Sequence, residues 1–66
     1  MDRSKIAERL VKLRGKRTQA EVAEAIGVSP SAYSMYETGE RIPRDEIKIR
    51  IAKFYKRTVS SIFFTD

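Results

Sequence analysis

The chain has 66 residues, of which 14 are Lys or Arg and 9 are Asp or Glu, giving a net charge of +5, and it contains neither Cys nor His. This length is expected to make one domain, 1–66, near the lower limit for folding on a single apolar core, and the missing residue types exclude disulfides, thiol chemistry and the common zinc sites. No run suits a membrane span, and the charged start (Asp2, Arg3, Lys5, Glu8, Arg9) lacks the apolar centre of a secretory signal, so a cytoplasmic protein is expected.

The first helix is predicted from about Ser4 to Arg14, with Ile6, Leu10 and Leu13 at i, i+4 and i+7 and Gly15 as terminator. Thr18 caps a second helix over Gln19 to Ile26, which Gly27 ends in a left-handed conformation that costs glycine no Cβ clash. Ser29-Pro30 is a second start signal, a side-chain cap followed by proline at the first helical position, and Gly39 closes that helix. Two complete sets of start and stop signals within residues 18–39 give the layout of a helix-turn-helix DNA reader, the motif spanning about 18–38. Val22, Ala23 and Ile26 share one face of the first motif helix; Ala32 and Tyr36, flanked by Tyr33, share one face of the second. Tyr33 and Tyr36 therefore read as packing residues rather than base-stacking groups. Ser31, Ser34 and Met35 lie on the opposite face, small enough to approach a groove floor.

Further on, Ile47-Lys-Ile49-Arg-Ile51 alternates like a strand, but the longer window decides for helix. Ile47, Ile51, Phe54 and Tyr55 form a helical stripe, and Asp45-Glu46 after Pro43 suit the positive end of a helix dipole. Thr58 caps a last short helix from Val59 to about Phe63, with Val59, Ile62 and Phe63 folding back onto the rest. No internal repeat, low-complexity segment or linker interrupts the chain.

Charge is unevenly placed. Residues 1–20 carry seven basic and two acidic side chains, residues 41–66 carry seven and three, and the motif between Arg17 and Arg41 has Glu21, Glu24, Glu37 and Glu40 with no Lys or Arg. If DNA is the partner, the flanks hold the phosphates and the motif is inserted between two basic arms.

The motif and its surroundings resemble the Cro/Xre family of phage and bacterial repressors. Gln19 opening the first motif helix, Ala23, Gly27, Ser29, Glu37-Thr38-Gly39 and Arg41-Ile-Pro43 carry the resemblance, which runs from about Ile6 to Phe63. It implies an all-α fold, a compact five-helix bundle of the lambda repressor-like type, binding double-stranded operator DNA in the major groove, commonly as a dimer, and regulating transcription. On this reading Gln19 fixes the motif on the phosphate backbone, the face from Pro30 and Ser31 to Met35 reads bases, and Arg14 pairs with Glu37 to lock the first helix to the reading helix. The DNA-binding set expected is Arg17, Thr18, Gln19, Ser29, Pro30, Ser31, Ser34, Met35, Thr38, Arg41 and Arg44. Arg41 and Arg44 read either as solvated loop charges or as phosphate contacts, and their place just after the reading helix favours the latter.

This chain also departs from the family pattern. The link Arg14-Gly15-Lys16-Arg17-Thr18 is shorter than the commonest one by about two residues, and the reading face lacks the Gln, Asn, Arg or Lys that make bidentate base contacts.

An enzyme is not expected: with no His or Cys, no phosphate-cradling glycine loop and carboxylates spread over helix surfaces, nothing builds a catalytic cleft. No cofactor, metal or small-molecule ligand is indicated. The expected function is a sequence-specific, bacterial or phage-encoded and nucleoid-associated regulator, repressing by operator occupancy. The alternative is a protein-interaction module, or an antitoxin or immunity component, on the same fold. Ile49 falls roughly 160–200° from the core stripe at 100° per residue, and Phe63 and Phe64 cannot both point inward. Ile49, Phe63 and Phe64 are thus expected at a homodimer interface, with an inverted repeat as the operator.

Overall fold

A computed structural model describes residues 2–64 as five helices: α1 (Arg3–Arg14), α2 (Gln19–Ile26), α3 (Pro30–Thr38), α4 (Asp45–Tyr55) and α5 (Val59–Phe63). No strand occurs among the described residues, and none of their helices is long and apolar enough to cross a membrane. The alternating isoleucines of α4 are helical, as the wider window predicts.

Local chemistry accounts for most of the boundaries. The Thr18 hydroxyl accepts a hydrogen bond from the Glu21 amide at 3.0 Å, Ser29 accepts one from Ala32 at 3.1 Å, and Thr58 accepts one from Ser61 at 3.0 Å. Each satisfies a backbone donor that the first helical turn leaves without a partner. Gly27 takes φ 80° and sends its amide to the Ala23 carbonyl at 2.9 Å, which ends α2 and turns the chain into α3. One boundary moves: α1 begins at Arg3 because Asp2 caps it, its Oδ1 accepting from the Ser4 and Lys5 amides. Lys56, with φ 58°, ends α4 in the left-handed region without a glycine.

The core gathers one face of every helix: Ile6 and Leu10 of α1, Val22, Ala23 and Ile26 of α2, Tyr33 and Tyr36 of α3, Ile47, Ile51 and Tyr55 of α4, and Ile62 and Phe63 of α5. Burying side chains of this size stabilises the fold by about 1.5–3 kcal/mol each. Tyr33 is fully enclosed, and its hydroxyl lies 2.6 Å from that of Tyr55, so each polar tip finds its partner inside the core.

Phe63 and Lys48 are both buried. Phe63 is only 1% exposed and belongs to this core, so it is withdrawn from the expected dimer surface; Phe64, its neighbour, is 57% exposed. A five-residue helix packed through Ile62 and Phe63 can turn only one of two adjacent phenylalanines inward. Lys48 is buried despite its charge, its ammonium 5.8 Å from the Phe63 ring centre, 5.1 Å from that of Phe64, and 3.4 Å from Asp45 Oδ1. Two aromatic faces replace part of the hydration that this ammonium gives up.

Candidate nucleic-acid interface

The N-terminus of α2 and the C-terminus of α3 are joined by a polar network. Arg14 Nε donates to Glu37 Oε2 at 2.7 Å and Arg14 Nη2 donates to Glu37 Oε1 at 3.1 Å, a two-pronged pair linking α1 to α3. The Gln19 amide nitrogen donates to Glu37 Oε1 at 2.9 Å, which adds α2. Arg14 Nη1 also donates to the Arg17 carbonyl at 2.7 Å and so holds the short α1–α2 link. The short link therefore keeps the Arg14–Glu37 pair.

The ionisation of this network follows from its surroundings. Burial works against the Glu37 charge, but hydrogen bonds from Arg14 and Gln19, with the nearby Tyr33 hydroxyl and the field of Arg14, outweigh it and hold the carboxyl below its ordinary value. The hydrogen bond to Glu37 raises the Arg14 guanidinium against the opposing effect of burial. Burial, followed by the bond to Tyr55, pushes the Tyr33 phenol upward, and Tyr55 is raised chiefly by burial.

With Tyr33, Tyr36 and Glu37 turned inward, α3 leaves Ser31 exposed and Ser34 and Met35 half-exposed. Ser29 and Pro30 at its start and Thr38 at its end are exposed as well. This is the face read from the sequence, and it carries hydroxyls, a thioether and no formal charge. Thr38 is tied into the following turn, its Oγ1 3.2 Å from the Met35 carbonyl and 2.9 Å from Glu40 Oε1. Thr18 and Ser29 spend their side-chain oxygens on helix caps.

The basic residues flank this face unequally. Arg41 follows α3 closely, its amide donating to the Met35 carbonyl at 3.3 Å, and its side chain is exposed. Arg44 stands at the start of α4 without a side-chain capping bond and lies 3.4 Å from Glu46, both side chains being largely in solvent, where such a pair contributes less than about 1 kcal/mol. Arg17, exposed, lies over the Phe54 ring of α4 at 5.3 Å. Gln19, half-buried, is committed through one N–H to Glu37.

Sequence reasoning missed three contacts at this site. Gln19 joins the ion pair, Tyr33 meets Tyr55, and Arg50 Nη1 donates to the Ile26 carbonyl at 3.4 Å. Each connects different helices, so helical periodicity within one element carries no signal for it.

The sequence profile of the helix-turn-helix family matches residues 5–62. The transcriptional repressor RstR of the cryptic phage CTXphi, from Vibrio cholerae serotype O1, is 44% identical over 50 residues, which make up 73% of this chain and 45% of that repressor. The chain thus spans about half the length of the curated relative it matches. No solved structure gives a significant match. With its capped helix pair, the glycine turn between them and a profile match over most of its length, the chain belongs to the helix-turn-helix family, of the Cro/Xre type.

Proposed function

We propose that this domain, over 1–66, binds double-stranded DNA sequence-specifically through the major groove and regulates transcription, as a repressor that occupies its operator. The observation that carries this reading is the α3 face. Packing of Tyr33, Tyr36 and Glu37 fixes α3, while Ser31 stays exposed and Ser34 and Met35 half-exposed, with Arg41 tied by its amide to the Met35 carbonyl. In this role Ser31, Ser34 and Met35 meet base edges, with Pro30 and Ser29 at the entry of the helix and Thr38 at its exit. Arg41 and Arg44 hold phosphates, and Thr18, Gln19 and Arg17 lie along the backbone on the other flank. The family is generally non-enzymatic, in keeping with a binding role, and such a protein acts on chromosomal or phage DNA in the bacterial cytoplasm.

The domain works as a homodimer on an inverted repeat. Ile49 is 48% exposed and Phe64 57% exposed, an apolar surplus that a second copy would cover. Twofold pairing through α5 and part of α4 would set two reading helices about 34–36 Å apart.

A second reading has its own support: an acidic motif and a reading face without bidentate base readers suit a protein partner, as in an antitoxin or immunity component. Titration of random duplex DNA at increasing salt separates the two. A DNA binder weakens steeply as counterions compete, whereas a protein adaptor shows negligible binding at moderate salt.

A further inference from the structure

A cleft of about 700 Å³ opens beside α3, between the α2–α3 turn and the start of α4, with Val28, Ala32, Arg41, Arg44, Glu46 and Arg50 in its walls. Arg50 comes from the middle of α4 and reaches the end of α2, where Nη1 donates to the Ile26 carbonyl at 3.4 Å. The last turn of a helix leaves carbonyls without intrahelical partners and carries the negative end of its dipole, so a guanidinium is attracted there. Its fit against the turn is close, since a Cβ built on Gly27 would lie 3.1 Å from Nη1. The bond to Ile26 leaves further N–H donors on the same planar fork for a ligand.

Three arginines thus line one cleft together with one acidic residue, Glu46, whose carboxylate already lies 3.4 Å from Arg44. Arginine forks match the oxygens of phosphate and carry more than enough charge to hold it. We propose that this cleft is a phosphate-binding site in which Arg50, held by the α2 terminus, joins Arg41 and Arg44 on one phosphoryl group. The phosphate comes either from a duplex backbone running beside α3, in which case the site rests on the DNA-binding reading above, or from a free phosphorylated molecule.

The test compares the parent with Arg50→Gln and Arg50→Lys. Affinity for duplex DNA is measured across a salt series, and inorganic phosphate is titrated without DNA while the arginine side-chain N–H resonances are followed. If the backbone is the source, Arg50→Gln lowers the salt slope by about 0.9, so that a fourfold rise in salt costs the variant about 3.5 times less affinity than the parent. Arg50→Lys, which keeps the charge, restores the slope. If the source is a free phosphate, the Arg50 side-chain resonance of the parent moves on titration, and Arg50→Gln no longer binds. A parent that binds phosphate through Arg50 but ignores DNA would keep this site and remove the regulator reading. An unchanged salt slope in Arg50→Gln, together with an Arg50 resonance in the parent indifferent to phosphate, would overturn the proposal.

Discussion

Arg14 and Glu37 lie 23 positions apart and meet through two hydrogen bonds of 2.7 and 3.1 Å, with side chains 22% and 3% exposed. The pair ties α1 to the C-terminal half of α3, so the orientation of α3 depends on it. Replacing Glu37 by Met strands the guanidinium and should cost about 3 kcal/mol, the low end for a broken buried pair because Arg14 still reaches water. Arg14→Met/Glu37→Met should recover much of that loss. In a denaturant cycle the two single changes should be non-additive, and simple additivity would argue against coupling.

The same pair predicts an acid-side dependence. The folded Glu37 carboxyl is held below its ordinary value of 4.5, so its contribution is complete above the unfolded value and is lost as pH falls through the folded one. Stability of the parent should therefore decline as pH drops below about 4.5. Glu37→Gln, with no proton to take up, should show a shallower decline over the same window; parallel curves would remove Glu37 as a cause.

Tyr33 and Tyr55 share one short hydrogen bond inside the core. Phe at either position should cost about 1–2 kcal/mol by leaving the other hydroxyl unpaired, and Phe at both should cost less than the sum. Both phenols are raised above their ordinary value of 10.0, so their contribution is intact below about pH 10 and is lost as pH rises toward the folded values. Ultraviolet titration checks this: part of the tyrosine absorbance change should await unfolding in the parent.

Much of the fold was legible because its signals are local. Thr18, Ser29 and Thr58 cap their own helices, and Gly27 and Gly39 end theirs in left-handed conformations. The candidate site was legible only in outline. Which α3 side chains face outward follows from helical period, but the destinations of Gln19, Arg17 and Arg50 depend on tertiary neighbours: Glu37, the Phe54 ring and the Ile26 carbonyl. Lys48 is the sharpest case, since a lysine ordinarily sits in solvent, yet Phe63 of α5 and Phe64 just after it set two phenyl rings beside it. Of Phe63 and Phe64, sequence shows that one must turn out, and only the packing of α5 on α1 and α4 decides which.

Base contacts and phosphate contacts should separate in mutational data. Met35→Ala or Ser31→Ala should weaken the cognate site by about 1–3 kcal/mol and leave random DNA almost unchanged. Arg41→Ala or Arg44→Ala should weaken both DNAs alike and lower the salt slope by about one unit each. Uniform loss from Met35→Ala would mean a disturbed helix rather than an unread base.

Sedimentation at micromolar concentration tests the dimer. The parent should associate, and Phe64→Ser and Ile49→Lys should shift it toward monomer while folding normally, since both side chains are exposed. Protection of DNA should cover two half-sites with centres about 10–10.5 base pairs apart, or a multiple of that. A parent that stays monomeric alone and on DNA would contradict pairing through this face.

The central claim, that α3 and its flanking arginines form a DNA-binding surface, is tested most directly by the affinity of the parent for duplex DNA from low to moderate salt. The account predicts measurable binding to random duplex at low salt, with the logarithm of affinity falling linearly in the logarithm of salt by about 0.9 for each phosphate held. Absence of binding to any duplex at low salt and micromolar protein, or an affinity indifferent to salt, would contradict it.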